Sequence, residues 1–162
     1  MVNSEAQTFI KGMNQNEHIP EALQEIKTEV FHALRLGPHL VENIIHDNVT
    51  LDVADIRELK RCNLQLSGGG PDALLVSSGK FSSITKEGRE LSADHNFSKN
   101  TIAKAMIIHS LSQRMIAKFY IQFNKPREHT EIFASRQEAL IWLTDLLRAH
   151  FEAAGKEAKQ SD

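Results

Sequence analysis

His109, Ser110, Ser112 and Arg114 place an imidazole, two hydroxyls and a guanidinium at the start of an apolar-periodic run, and the chemistry they suggest is anion binding. Backbone N–H groups in the first turn of a helix have no partner inside it, so those of Leu111 and Ser112 could receive a carboxylate or phosphate, with Arg114 one turn further on. The plain reading of the same residues is a capped helix start, since Ser110 satisfies some of those donors itself. Ser78, His109 and Asp47 are the residue types of a nucleophile, its base and an orienting acid. No G-x-S-x-G elbow accompanies them, and a triad is defined by geometry rather than by presence. No catalytic residue is therefore assigned. Eight histidines show neither H-x-H nor H-E-x-x-H spacing, so no metal ligand is assigned either. Gly68-Gly69-Gly70 lacks the following Gly-Lys-Ser/Thr of a phosphate cradle and reads as a turn that needs glycine's freedom in φ.

Composition narrows the classes. With 162 residues, 41% of them hydrophobic, the chain suits one domain with a continuous core. A formal charge of −2 leaves no global basic footprint for nucleic acid. Cys62 is the sole cysteine, which excludes an internal disulfide and sites built from paired cysteines, and fits a reducing, cytoplasmic setting. No membrane span and no export signal are expected. Arg114, Lys118, Lys125 and Arg127, with Gln122, make a local basic strip that suits either a solvated surface or an acidic protein or anionic headgroup.

The elements that must position these residues centre on Ile102 to Pro126. Ile102 to Ile108 reads as a buried strand, and Ser110 and Gln113 form the S-x-x-Q capping box of a helix. Leu111, Met115, Ile116, Phe119, Tyr120 and Phe123 form one apolar stripe. Phe119, Tyr120, Phe123, Met106 and Met115 are expected to be core rather than the wall of a lipid pocket. Asn124 is expected to take the left-handed conformation at the helix end, before Pro126. Upstream, residues 1–27 read as an arm in which Pro20 to Ile26 can start a short helix. Glu29 to Leu36 and His39 to Ile45 read as a hairpin around Gly37-Pro38. Thr50 is expected to cap a helix from Asp52 to Leu64, Ala73 to Val76 is a short buried strand, and Thr85 opens a helix over Lys86 to Ala93. Thr130 to Ala134 is a last strand. Ser135 and Glu138 cap a final helix, and residues 152–162 should fray. This order, β-β-α-β-α-β-α-β-α, implies a mixed, mostly parallel five-stranded sheet with only the first strand antiparallel.

The LLV strand, the Ser83-Ile84-Thr85 helix entry and the LSQRMIAKFYIQFNKP segment resemble the SpoIIAA-like fold of STAS domains, the anti-sigma-factor antagonists. The chain is similar to a bacterial STAS-like family with an "LS-R-I-NFF-FNKP" helix, an "IF" strand and an "EAL-WL" helix. Those positions are here Leu111, Ser112, Arg114, Ile116, Phe119 and Phe123 to Pro126, then Ile132-Phe133, then Glu138 to Leu140 and Trp142-Leu143. The resemblance spans about Thr28 to Leu147. In regulatory STAS domains a phosphorylatable serine opens the second helix. Here Thr85-Lys86-Glu87-Gly88 stands at that place, so the resemblance does not carry the phosphoserine switch, and Thr85 reads as a cap.

The expectation is a non-enzymatic interaction module without metal or cofactor, contacting a protein partner through Thr85, Lys86, Glu87, Arg114, Lys118 and Gln122. The alternative is a carrier of a small amphipathic or anionic ligand, implied by the related fold of the SEC14 group and placed at His109, Ser110, Ser112 and Arg114. The strand Glu29 to Leu36, as an open edge, would also allow homodimerisation.

Overall fold

A computed structural model of the chain describes residues 24–161. Its main sheet has six strands in the order β1-β2-β3-β5-β7-β8, namely Gln24–Lys27, Phe31–Gly37, Leu40–Ile45, Asp72–Ser78, Thr101–Ile107 and His129–Phe133. β3, β5, β7 and β8 are parallel, and β2 alone runs against the other strands. β4 (Thr50–Leu51) and β6 (Ser83–Ile84) form a separate two-stranded parallel pair. Helices α1 (Val53–Ser67), α2 (Lys86–Ala93), α3 (Leu111–Phe119) and α4 (Arg136–Gln160) fill the crossovers and the C-terminus. The mixed, mostly parallel architecture expected from the sequence is present.

Several local expectations need correction. The sheet has six strands rather than five because Gln24–Lys27, whose residues up to Ile26 are expected in a short helix, pairs with β2 instead. The Pro20 to Leu23 part of that helix lies outside the described residues. β2 is consequently interior, so Glu29 to Leu36 offers no free edge to a second copy, and among the described residues the outer strands are β1 and β8. Thr50 caps nothing. It sits in β4 with its hydroxyl 2.9 Å from that of Ser83, while Asp52 and Asp55 form the reciprocal box that starts α1. Gly68, at φ 81°, closes α1 in the left-handed conformation. α4 continues to Gln160 rather than ending near Phe151.

α3 also ends differently. Its last turn widens into a π-helical segment, Tyr120–Asn124, and Lys125 rather than Asn124 takes the left-handed conformation, at φ 49°. The extra residue of a π turn rotates the residues beyond it and shifts which side chains face inward.

The sheet carries a core on each face. On one, Ala73, Leu75, Ala103 and Ala105 pack against Ala139, Leu143 and Leu147 of α4. On the other, Val41, Ile45 and Leu74 meet Ile56, Leu59, Cys62 and Leu66 of α1. Successive side chains of a strand point to opposite faces, so each parallel strand serves both layers.

Candidate functional site

The carboxyl ends of β3, β5, β7 and β8 share one edge, the usual place for ligands in an open parallel sheet. Loops there are laced together. Asp47 Oδ1 accepts from the Lys80 N–H at 2.7 Å, and Asn48 donates to the Lys80 carbonyl at 2.9 Å. Gly79 is required by this approach, because a Cβ on it would come within 2.5 Å of Asp47. The Gln113 amide reaches the carbonyls of Ser78 and Gly79 at 3.3 and 3.4 Å, which ties α3 to the β5 loop.

The residues expected to bind an anion all stand at this edge. Ser110 Oγ accepts from the Gln113 N–H, and Gln113 Oε1 takes the N–H of His109 rather than that of Ser110. The Ser110 and Ser112 hydroxyls are 3.2 Å apart, and His109, Ser110, Ser112 and Arg114 are exposed. Among the described residues no hydrogen bond joins Ser78, His109 and Asp47. Of the expected contact residues, Thr85 Oγ1 accepts from the Gly88 N–H as the α2 cap, Lys86 pairs with Glu90, and Glu87, Lys118 and Gln122 are exposed.

The apolar stripe of α3 is the largest departure from expectation. Only Ala117 and Tyr120 of this helix and its π extension are buried. Leu111 is 75% exposed, Met115 65% and Phe123 62%, with Ile116 and Phe119 close to half exposed. The stripe is wider than the contact surface beneath it. Gln113, Ala117 and Tyr120 turn inward, and Leu111, Met115, Phe119 and Phe123, each four residues apart, form an outward ridge. Phe81 in the β5 loop is also exposed and holds a positive φ of 58°, a conformation uncommon for a bulky side chain.

Beneath α3 lies a partly open cavity of about 200 Å3, roofed by α1, α2 and α3 over the sheet. Asn43, Val76 and Met106 form part of its floor, Leu59, Lys60 and Asn63 belong to α1, and Ile116, Ala117 and Tyr120 to α3 and its extension. One end is polar. Lys104, in the middle of β7, points its ammonium to Glu128 Oε1 at 2.9 Å, Tyr120 Oη at 3.2 Å and Ser92 Oγ at 3.3 Å. The Tyr120 and Ser92 hydroxyls are 3.3 Å apart. Burial works against the charge on Lys104, but the Tyr120 hydroxyl and the Glu128 carboxylate outweigh it and hold its pKa above the ordinary lysine value. Burial lowers the pKa of Lys60, with the Asp72 carboxylate countering in part. Burial likewise raises that of Asp72, against the Thr101 hydroxyl and the charge of Lys60.

Sequence reasoning singles out none of Lys60, Asp72, Lys104 or Glu128. The signal is present in Ala103-Lys104-Ala105-Met106, where small residues alternate with long ones and a cation stands inside a strand.

A family model described as "Domain of unknown function (DUF7793)" matches residues 39–147, about two thirds of the chain. The chain belongs to this family. In the DUF7793 chain the matched span contains the whole cavity floor, α1 to α3 and the first half of α4. No curated protein matches it. It is similar to a crystal structure from Shewanella loihica PV-4, an uncharacterised protein of the DUF3478 family described as having a SpoIIAA-like fold. The two are 14% identical with a TM-score of 0.45, covering 80% of this chain and 98% of that one. No described helix is long and apolar enough to cross a membrane, and among the described residues no three His, Cys, Asp or Glu side chains gather as a metal site.

Proposed function

We propose that this DUF7793 protein is a non-enzymatic, STAS-like interaction module that docks a protein partner through the outward ridge of α3. The observation that carries this reading is the exposure of Leu111, Met115, Phe119 and Phe123 along one side of one helix. A contiguous apolar patch of this kind marks a contact surface more often than chance on a soluble domain. Arg114 and Lys118 stand on the same helix and Lys125 and Arg127 just after it, and none has a carboxylate within ion-pair distance among the described residues. The partner that fits is a protein with an apolar cleft and an acidic rim. Glu90 and Asp94 share a shallow cleft with Phe123, and these acids would face an anionic lipid surface unfavourably, which favours a protein.

A photo-cross-linking amino acid at Met115 tests the reading in the protein's own cell extract. The expected result is a discrete protein adduct that disappears in Leu111→Ser/Phe123→Ser and weakens with Arg114→Glu/Lys118→Glu. An adduct that survives both double variants, or one displaced by phosphatidylglycerol vesicles, overturns it.

A second reading, a carrier or sensor of a small amphipathic or anionic ligand, is favoured by the cavity under α3 and its polar end.

A further inference from the structure

We infer that the cavity roofed by α1, α2 and α3 is a binding site for a small apolar carboxylate, its tail among Val76, Met106 and Ala117 and its anionic end on Lys60. This deepens the second reading, that a small ligand is held, and supplies the chemical class.

Three observations converge on the assignment. The first is size. A cavity of about 150 Å3 lined by aliphatic and aromatic groups accepts benzene, so the 200 Å3 here suits an apolar body slightly larger than a benzene ring. The second is charge. Lys104 is already held by Glu128, Tyr120 and Ser92, whereas the ammonium of Lys60 is shielded from solvent, has no hydrogen-bond partner and no ion pair among the described residues, and has only the face of Phe97 at 5.8 Å. The Asp72 carboxylate counters this charge only in part and makes no ion pair with it, so a ligand carboxylate in contact with the ammonium lowers the remaining cost of burying it. The third is orphaned polarity. Asn43 and Asn63 are each only 3% exposed and border the cavity, yet their side-chain oxygens have no partner. Buried amides are ordinarily satisfied, so two of them around one cavity indicate that something polar completes the set. As placed, each amide presents an unpartnered oxygen; with its oxygen and nitrogen interchanged, which keeps the side-chain shape, either residue donates to a carboxylate oxygen.

The anionic end is matched by the balance of the walls. Lys60 and Lys104 both border the cavity, Glu128 pairs with Lys104 at 2.9 Å, and Lys60 has no hydrogen-bond partner and no ion pair among the described residues. A single anionic charge placed at Lys60 matches that arrangement. A phosphate dianion would exceed the charge that Lys60 can answer, and an amine would meet the same two cations as a repulsive field.

The test is a 15N-labelled titration of the whole chain with octanoate, 1-octanol and octylamine in parallel. Octanoate should saturate with shifts at Asn43, Asn63, Val76 and Met106 and bind at least tenfold more tightly than 1-octanol, with octylamine weakest. Lys60→Met, which keeps the aliphatic stem, should erase the preference for octanoate and keep binding of 1-octanol. Lys60→Gln serves the same purpose if the methionine variant does not fold. Equal affinity of the wild-type chain for octanoate and 1-octanol overturns the carboxylate assignment while the carrier reading stands. Absence of saturable binding by either, or shifts confined to Leu111, Met115 and Phe123 on the outer ridge, overturns both.

Discussion

On one face of the sheet Ala103 and Ala105 are small enough for Leu143 and Leu147 of α4 to sit directly on the strand. On the other, the intervening Lys104 and Met106 meet three short helices that leave about 200 Å3 between them. The same seven-residue strand, β7, feeds both layers. What differs is the cover. A single long helix lies along the strands and closes its side, and the side chains interdigitate to ordinary interior density. α1, α2 and α3 enter from separate crossovers. Their layer packs α1 on β2 and β3 and leaves the cavity between the three helices and the floor made by β3, β5 and β7. A filled face holds the domain together, whereas an unfilled face with polar groups at one end is free to bind.

The strongest test of that contrast is the ion pair at the polar end of the open layer. Glu128 is fully buried and Lys104 nearly so, at 2.9 Å. Removing one partner leaves an uncompensated buried charge, so Glu128→Ala should lower the unfolding free energy by about 3–5 kcal/mol in urea denaturation. Adding Lys104→Met in the same chain should recover most of it. A single-variant loss under about 1 kcal/mol would mean that water reaches the pair and that this end of the cavity is not sealed.

Next in size is a paired comparison across β7. Leu143→Ala on the closed face should cost about 2–5 kcal/mol, since the surrounding side chains collapse only partly into the space. Met106→Ala on the open face should cost less than half of that, because Met106 already borders empty space and gives up fewer contacts. Equal losses would show that the two faces are packed alike.

Asp72 gives a pH-dependent comparison. Burial raises its carboxyl above the ordinary value of 3.8, so the folded state binds the proton more tightly than the unfolded chain. Its contribution is therefore fully favourable below pH 3.8 and is lost as pH rises through the folded-state value. Asp72→Asn, which stays neutral, should match the native chain at low pH and become progressively more stable than it towards neutrality. If Asp72→Asn is less stable at neutral pH, the Lys60 ammonium outweighs burial at this carboxyl and the direction of its shift is reversed.

The closed face is legible in the sequence because its cause is local and periodic. Ser135 and Glu138 mark where α4 begins, and Ala139, Leu140, Leu143 and Leu147 recur at helical spacing, so both its start and its buried side can be read. The hairpin and the parallel crossovers are legible through Gly37-Pro38 and the alternation of strand with helix. The open face is not. Nothing in the spacing of Leu111, Met115, Ile116, Phe119 and Phe123 says that the neighbouring layer is too narrow to cover them. Which part of a wide apolar stripe is buried depends on the partner elements, here on Gln113 being anchored to the Ser78 and Gly79 carbonyls and on the π turn after Phe119. The polar end is hidden for a similar reason. Lys60 reads as an outward residue by type and Asn63 as one amide among Ile56, Leu59 and Leu66 until the Phe97 loop and the cavity are laid beside them, and Glu128 belongs to no periodic element at all.

The smallest expected stability effect belongs to the residues with the largest apolar exposure. Met115→Ser and Phe123→Ser remove side chains that are 65% and 62% exposed, so each should change the unfolding free energy by no more than about 0.5 kcal/mol. Phe119 and Phe123 have ring centroids 4.6 Å apart, which makes Phe123→Ser the larger of the two. A folded chain that keeps four large apolar groups in water gains almost nothing from them alone, so a near-zero cost combined with loss of the cross-linked adduct would place their value in the complex. Should Met115→Ser destabilise the chain by about 2 kcal/mol or more, the magnitude typical of a buried position, the ridge is covered in solution by another part of the molecule or by a second copy. The openness of this face would then belong to the isolated chain alone.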